Sequence, residues 1–191
     1  MTAPDGDAVR SAADAVRHLL ARVPDGGTDV PVLGTTVTGV AQHLVSCLSW
    51  YAHDLAAGVT EASPADLVPR DGAQLAEVAR SVGAWGEVLA RTVDGAAPDD
   101  RGWHPHGVAD PAGFAAVGCA ELLVHGADVA AALGASWSPP ADLAAAVVAR
   151  LFPEVPSDAD PVPGLLWATG RGDLPGVARR TDWTYAMAPR G

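Results

Sequence analysis

The chain has 191 residues, enough for one domain with a sizeable core. Hydrophobic residues make up 49 % and charged residues 18 %, which excludes a disordered chain. Asp and Glu number 23 against 12 basic residues, all of them arginine. The formal net charge is −11, no basic stripe offsets it, and no nucleic-acid partner is expected.

Residues 1–7 are acidic and lack an apolar core, so no signal peptide is expected. No apolar run approaches 18 residues without a polar interruption, so no membrane-spanning helix is expected. Cys47 and Cys119 both fall in apolar helical patterns. Two cysteines without a secretion signal read as reduced thiols in the cytoplasm.

In chain order, residues 7–23 form an amphipathic helix, with Val9, Ala12, Val16 and Leu19 keeping the 3.6 period. Pro24-Asp25-Gly26-Gly27 ends it, and residues 30–34 read as a loop. Thr35 or Thr36 caps a second helix that runs to Ala57. That helix carries Val40, His43, Cys47, Trp50 and Asp54 along one stripe. Residues 58–68 connect, with Pro64 and Pro69 as breakers. A third helix is predicted over 71–93, followed by a loop rich in Gly, Pro, Asp and His with Arg101, Trp103, His104 and His106. A fourth helix spans 111–134 and closes at Gly134. A shorter helix follows Pro139-Pro140 to Phe152. Residues 164–169 form one or two further turns, and the tail 170–191 is irregular with a short extended segment. Four long helices with modest connections predict an all-α, four-helix bundle in one domain, 1–191.

The fourth helix is apolar nearly all round, which marks a buried helix. Yet Glu121, His125 and Asp128 stand at i, i+4 and i+7, one face of that helix. Burying such groups without partners costs several kcal/mol. In a bundle His43 can face them from the second helix. Two imidazoles and one carboxylate suit Zn²⁺, Ni²⁺, Co²⁺ or Fe²⁺, and three protein ligands leave positions open for water or substrate. Asp128 would accept the second ring N–H of a ligand histidine. A buried polar network without metal is the alternative reading. His104, His106, Arg171, Trp50 and Cys47 are the candidate substrate contacts, with Tyr51, Trp85 and Trp103 as further aromatic walls. Each also has a plainer reading: loop histidine, ion-pair arginine, core aromatic or packed thiol.

The segment Val40-Ala41-Gln42-His43-Leu44 with Trp50-Tyr51 resembles the first metal-ligand helix of the DinB-like superfamily. Glu121-Leu122-Leu123-Val124-His125-Gly126-Ala127-Asp128 resembles the E-x3-H-x2-D helix of the mycothiol-dependent maleylpyruvate isomerase N-terminal domain. Trp103-His104-Pro105 and Leu166-Trp167-Ala168-Thr169-Gly170-Arg171 also look like actinobacterial members. The resemblance implies a metal, usually zinc, on His43, Glu121 and His125. It also implies mycothiol or another small thiol as co-substrate for an S-transferase or isomerase acting on a small electrophile. The characterised isomerases carry a further C-terminal domain, whereas about 55 residues follow Gly134 here, too few for it. A thiol-independent Lewis-acid isomerase or cyclase, and a non-catalytic ligand-binding helical protein, are the competing expectations. Dimerisation through an apolar helix face is compatible with the composition.

Overall fold

The computed structural model describes residues 2–61, 67 and 70–189. Among them lie six α-helices: α1 (Gly6–Leu20), α2 (Val37–Ala57), α3 (Leu75–Gly95), α4 (Pro111–Ala132), α5 (Ala141–Leu151) and α6 (Pro161–Ala168). The all-α expectation holds. The expected breakers Pro64 and Pro69 lie outside the described residues.

Side chains at the helix starts explain the boundaries. Asp5, Thr36 and Asp110 each accept a hydrogen bond from a first-turn N–H, those of Ala8, Gly39 and Gly113. The third helix starts four residues later than predicted. Gly72 has a φ of +75°, which an α-helix cannot accommodate, and a Gln74–Glu77 capping box then opens the helix. The first helix stops at Leu20 instead of residue 23, because the N–H groups of Arg22 and Val23 turn back onto Leu19 and Leu20.

The expected loop at 30–34 is more ordered than predicted. Two short strands, β1 (Asp29–Val30) and β2 (Thr35–Thr36), pair antiparallel around a 3₁₀ turn over Pro31–Leu33. They satisfy each other's backbone groups, and the Val37 N–H donates to the Thr28 carbonyl where α2 begins. The tail contains no strand among the described residues. It runs across the end of α5, where the Ala186 N–H donates to the Leu151 carbonyl.

One hydrophobic core draws on all six helices. Helix α2 packs on α3 and α4, α1 packs on α3 and α4, and α5 packs on α4 and α6. Phe114, Leu122 and Leu123 of α4 are essentially inaccessible, and each contributes about 1.5–3 kcal/mol of apolar burial. Gly118 lets α3 close on α4: a methyl group there would meet Leu89 Cδ2 at 2.6 Å. Among the described residues only α4 is long and apolar enough to cross a membrane, and 83 % of that stretch is buried against the rest of the protein. The apolar character of α4 is therefore accounted for by its place at the centre, and its polar face becomes the feature to explain.

Candidate metal centre

Helix α2 brings His43 to the rim, and α4 presents Glu121 and, one turn later, His125. The ligand atoms of these three residues lie within 4.8 Å of one another. Glu121 Oε2 stands 3.1 Å from His125 Nε2 and 3.5 Å from His43 Nε2. Donors bound tetrahedrally to an ion at about 2.0–2.1 Å would be separated by about 3.3–3.4 Å, so these gaps need little adjustment. The two imidazoles meet edge to face, with centroids 4.9 Å apart and planes at 84°.

The far-side atoms of Glu121 and His125 are already committed. Tyr51 and Tyr185 both donate to Glu121 Oε1, at 3.2 and 2.9 Å, which leaves Oε2 to face the imidazoles. Asp128 Oδ2 lies 3.0 Å from His125 Nδ1, which directs Nε2 toward Glu121. Arg171 in turn grips Asp128, with Nη2 3.2 Å from Oδ2 and Nε 3.3 Å from Oδ1. Carboxylate–histidine pairs of this type fix the tautomer and orientation of a metal ligand. The residues fit a divalent ion with nitrogen and oxygen ligands.

The electrostatics follow from burial and these bonds. Burial pushes the Glu121 carboxyl up, but hydrogen bonds from His125 and His43 outweigh it and hold the group well below the usual carboxylate range. Burial pushes His125 down, while its bonds to Asp128 and Glu121 win and raise it to about 9. Asp128 is pushed up by burial and drawn below its ordinary value by His125 and Arg171. Burial and the charge of Glu121 drive both tyrosines well above their ordinary value, so they remain hydrogen-bond donors. Without metal, a protonated His125 faces the Glu121 carboxylate at 3.1 Å.

The other predicted contacts divide. Cys47 Sγ lies 3.4 Å from His43 Nε2, beside the triad and outside it. Burial and Glu121 push its thiol up, so it is not a ready thiolate. His104 is buried, and its ring stands 5.6 Å from Tyr51 and 6.2 Å from Tyr185. Its imidazole is lowered to about 4, first by burial and then by His106. His106 is exposed and meets Thr184 Oγ1 of the tail at 2.5 Å.

Arg171 takes the ion-pair reading: its guanidinium binds Asp128 and the Thr169 carbonyl. Trp50 stands two turns beyond His43 on the same stripe of α2. It is 38 % exposed and makes no hydrogen bond or ring contact among the described residues. The stripe through His43 runs along the rim of α2, and the core-facing residue beside it is Tyr51, 7 % exposed. The residues that sequence reasoning missed are these phenols: Tyr51 was placed only as a wall, and Tyr185 only in the tail. Tyr51 is eight positions from His43, about 80° round the helix, so spacing offered no signal. Tyr185 reaches the site because Arg150 binds the Ala186 and Met187 carbonyls at 2.9 and 3.0 Å and Asp110 at 2.8 Å.

A cavity of about 530 Å³ lies elsewhere, lined by Val45, Glu77, Val78, Ser81 and Trp85 among others, and includes none of the triad. The centre opens instead along His43, whose side chain is 52 % exposed. No protein-family model, curated protein or solved structure matches this chain, so the centre stands on its own geometry.

Proposed function

We propose that this protein is a divalent-metal enzyme that uses a low-molecular-weight thiol, mycothiol or a relative, in an S-transfer or isomerisation on a small electrophilic metabolite. The observation that carries the metal is the convergence of Glu121 Oε2 with two imidazole nitrogens while Tyr51, Tyr185 and Asp128 occupy the opposite ligand atoms. The pairwise packing of α1 through α4 supports a DinB-like four-helix bundle, as the E-x3-H-x2-D resemblance implies. The same resemblance is the ground for the thiol.

A divalent cation bound there would stabilise a thiolate near neutral pH and polarise a carbonyl oxygen. The chain's own groups do the positioning. Tyr51 and Tyr185 hold Glu121 by one oxygen, Asp128 holds His125 by Nδ1, and Arg171 keeps Asp128 ionised. Glu121 and Asp128 bring two negative charges and Arg171 one positive charge. With a divalent ion, one positive charge remains, which favours a monoanionic ligand such as a thiolate or an enolate.

The test is metal analysis of untagged protein by mass spectrometry, followed by mycothiol titration of the Co²⁺-loaded protein. Close to one equivalent of metal and a thiolate-to-metal absorption band are expected. Less than about a tenth of an equivalent would reject the centre. Full loading without a thiol band would leave the Lewis-acid isomerase or cyclase. A metal-free polar network is the second structural reading, favoured by one observation: His125 and Glu121 already lie at ion-pair distance, 3.1 Å. On that reading His43→Ala would leave ligand binding nearly unchanged.

A further inference from the structure

His104 lies in the loop between α3 and α4 and is 4 % exposed. Its Nδ1 accepts a hydrogen bond from the backbone N–H of His106 at 3.1 Å. A nitrogen that accepts carries no proton, so the proton of the neutral ring is on Nε2, at the opposite edge. That N–H has no partner among the described residues. A buried donor left unpaired costs about 1–3 kcal/mol, so a partner is to be expected. Among the described residues only Trp137 Nε1 is both sealed from solvent and unpartnered. His104 Nε2 is thus without a protein partner but not sealed, so its partner is a water or an atom of a bound molecule.

Its neighbours identify where that molecule sits. The imidazole contacts the rings of Tyr51 and Tyr185, the two residues whose hydroxyls converge on Glu121. Those hydroxyls already donate to Oε1, and Arg171 already pairs with Asp128. His104 therefore offers an uncommitted ring N–H close to Glu121. Phe114 and His106 close the other sides of the ring. A neutral donor selects an oxygen acceptor and gives a thiolate sulfur much less.

We propose that His104 is a ligand-binding residue of this centre, and that its Nε2–H donates a hydrogen bond to a carbonyl or carboxylate oxygen of the small molecule held beside His43, Glu121 and His125. The proposal rests on the metal reading given above. It adds a substrate class: the electrophile carries an oxygen acceptor next to the atom that reacts.

The probes are pyruvate, which offers both kinds of oxygen, and ethanethiol, which offers a thiolate and no oxygen. Each is titrated into Co²⁺-loaded protein and followed by the visible spectrum, in wild type, His104→Phe and His104→Gln. Pyruvate affinity should fall about tenfold or more in His104→Phe, while ethanethiol affinity changes less than threefold. His104→Gln, which keeps an N–H donor, should recover part of the loss. Nitrogen-edited NMR of the metal-free protein should show His104 as the Nε2–H tautomer. Unchanged pyruvate affinity, an equal fall for both probes, or an Nδ1–H tautomer would overturn the proposal. Failure of the wild type to bind Co²⁺ or Zn²⁺ would reject the metal centre instead, and this proposal with it, before any variant is made.

Discussion

Two charged networks in this protein use bonds of similar length. On the surface, Arg10 of α1 reaches Glu87 at 2.8 Å, Asp94 at 2.9 Å and Asp7 at 2.9 Å. In the centre, His125 reaches Asp128 at 3.0 Å and Glu121 at 3.1 Å, and Arg171 reaches Asp128 at 3.2 Å. The side chains of Arg10 and Glu87 are 33 % and 39 % exposed, whereas those of Asp128 and His125 are 3 % and 8 % exposed. Water and salt screen the first network, and the apolar wall of α4 protects the second. Distance alone therefore says little. Burial decides whether a bond merely decorates a surface or sets a protonation state and orients a ligand.

The sharpest way to break this contrast is Glu121→Ala. Metal content should drop from about one equivalent to below about a tenth. The metal-free protein should lose roughly 3 kcal/mol of stability in urea unfolding, because His125 and two phenols lose their buried partner. Next comes pH. His125 in the metal-free protein is raised to about 9, and its proton must leave before Nε2 can bind a cation. Zn²⁺ affinity should rise about tenfold per pH unit between pH 7 and about 9, then level off, in competition titrations against a chelator. The same shift has a stability signature. A group raised above its ordinary value of about 6.5 stabilises the fold fully below that value and loses the contribution as pH rises through about 9. The Tm of metal-free protein should fall over that window, and that of Zn²⁺-loaded protein should not.

Asp128→Asn should weaken Zn²⁺ binding about 10–100-fold, since it removes the carboxylate that orients His125 and leaves Arg171 without its charge partner. Tyr185→Phe should cost about tenfold or less, because Tyr51 still holds Glu121 Oε1. Smallest of all is Arg10→Ala in the exposed network. Its Tm should move by roughly 2 °C or less, and the difference should shrink further in 1 M salt. An Arg10 effect as large as that of Asp128 would sink the comparison.

Much of the fold was legible because periodicity and caps are local properties. The apolar spacing of Val9 to Leu19, the cap Thr36, and the Pro111 start of α4 lie within one or two turns of what they control. The α3 start was misplaced because the left-handed Gly72 and the Gln74–Glu77 box outweigh the hydrophobic pattern that begins earlier. At the site, Glu121, His125 and Asp128 were visible as polar residues interrupting an apolar helix. Trp50 and Tyr51 were not separable by spacing. Which of two neighbouring aromatics turns inward depends on how far α2 is rotated against α4, and that depends on packing along both helices.

What the order of residues determined by itself was the helical class and the face of α4 that carries a carboxylate, an imidazole and a second carboxylate in register. Only the tertiary structure decided that His43 meets that face from 78 positions away. It also decided that Arg171 pairs with Asp128 and that the tail, clamped by Arg150, delivers Tyr185 to Glu121. The reason is that helical periodicity is written within a few residues, whereas the contacts that saturate a buried carboxylate come from any segment the packing brings within about 3 Å.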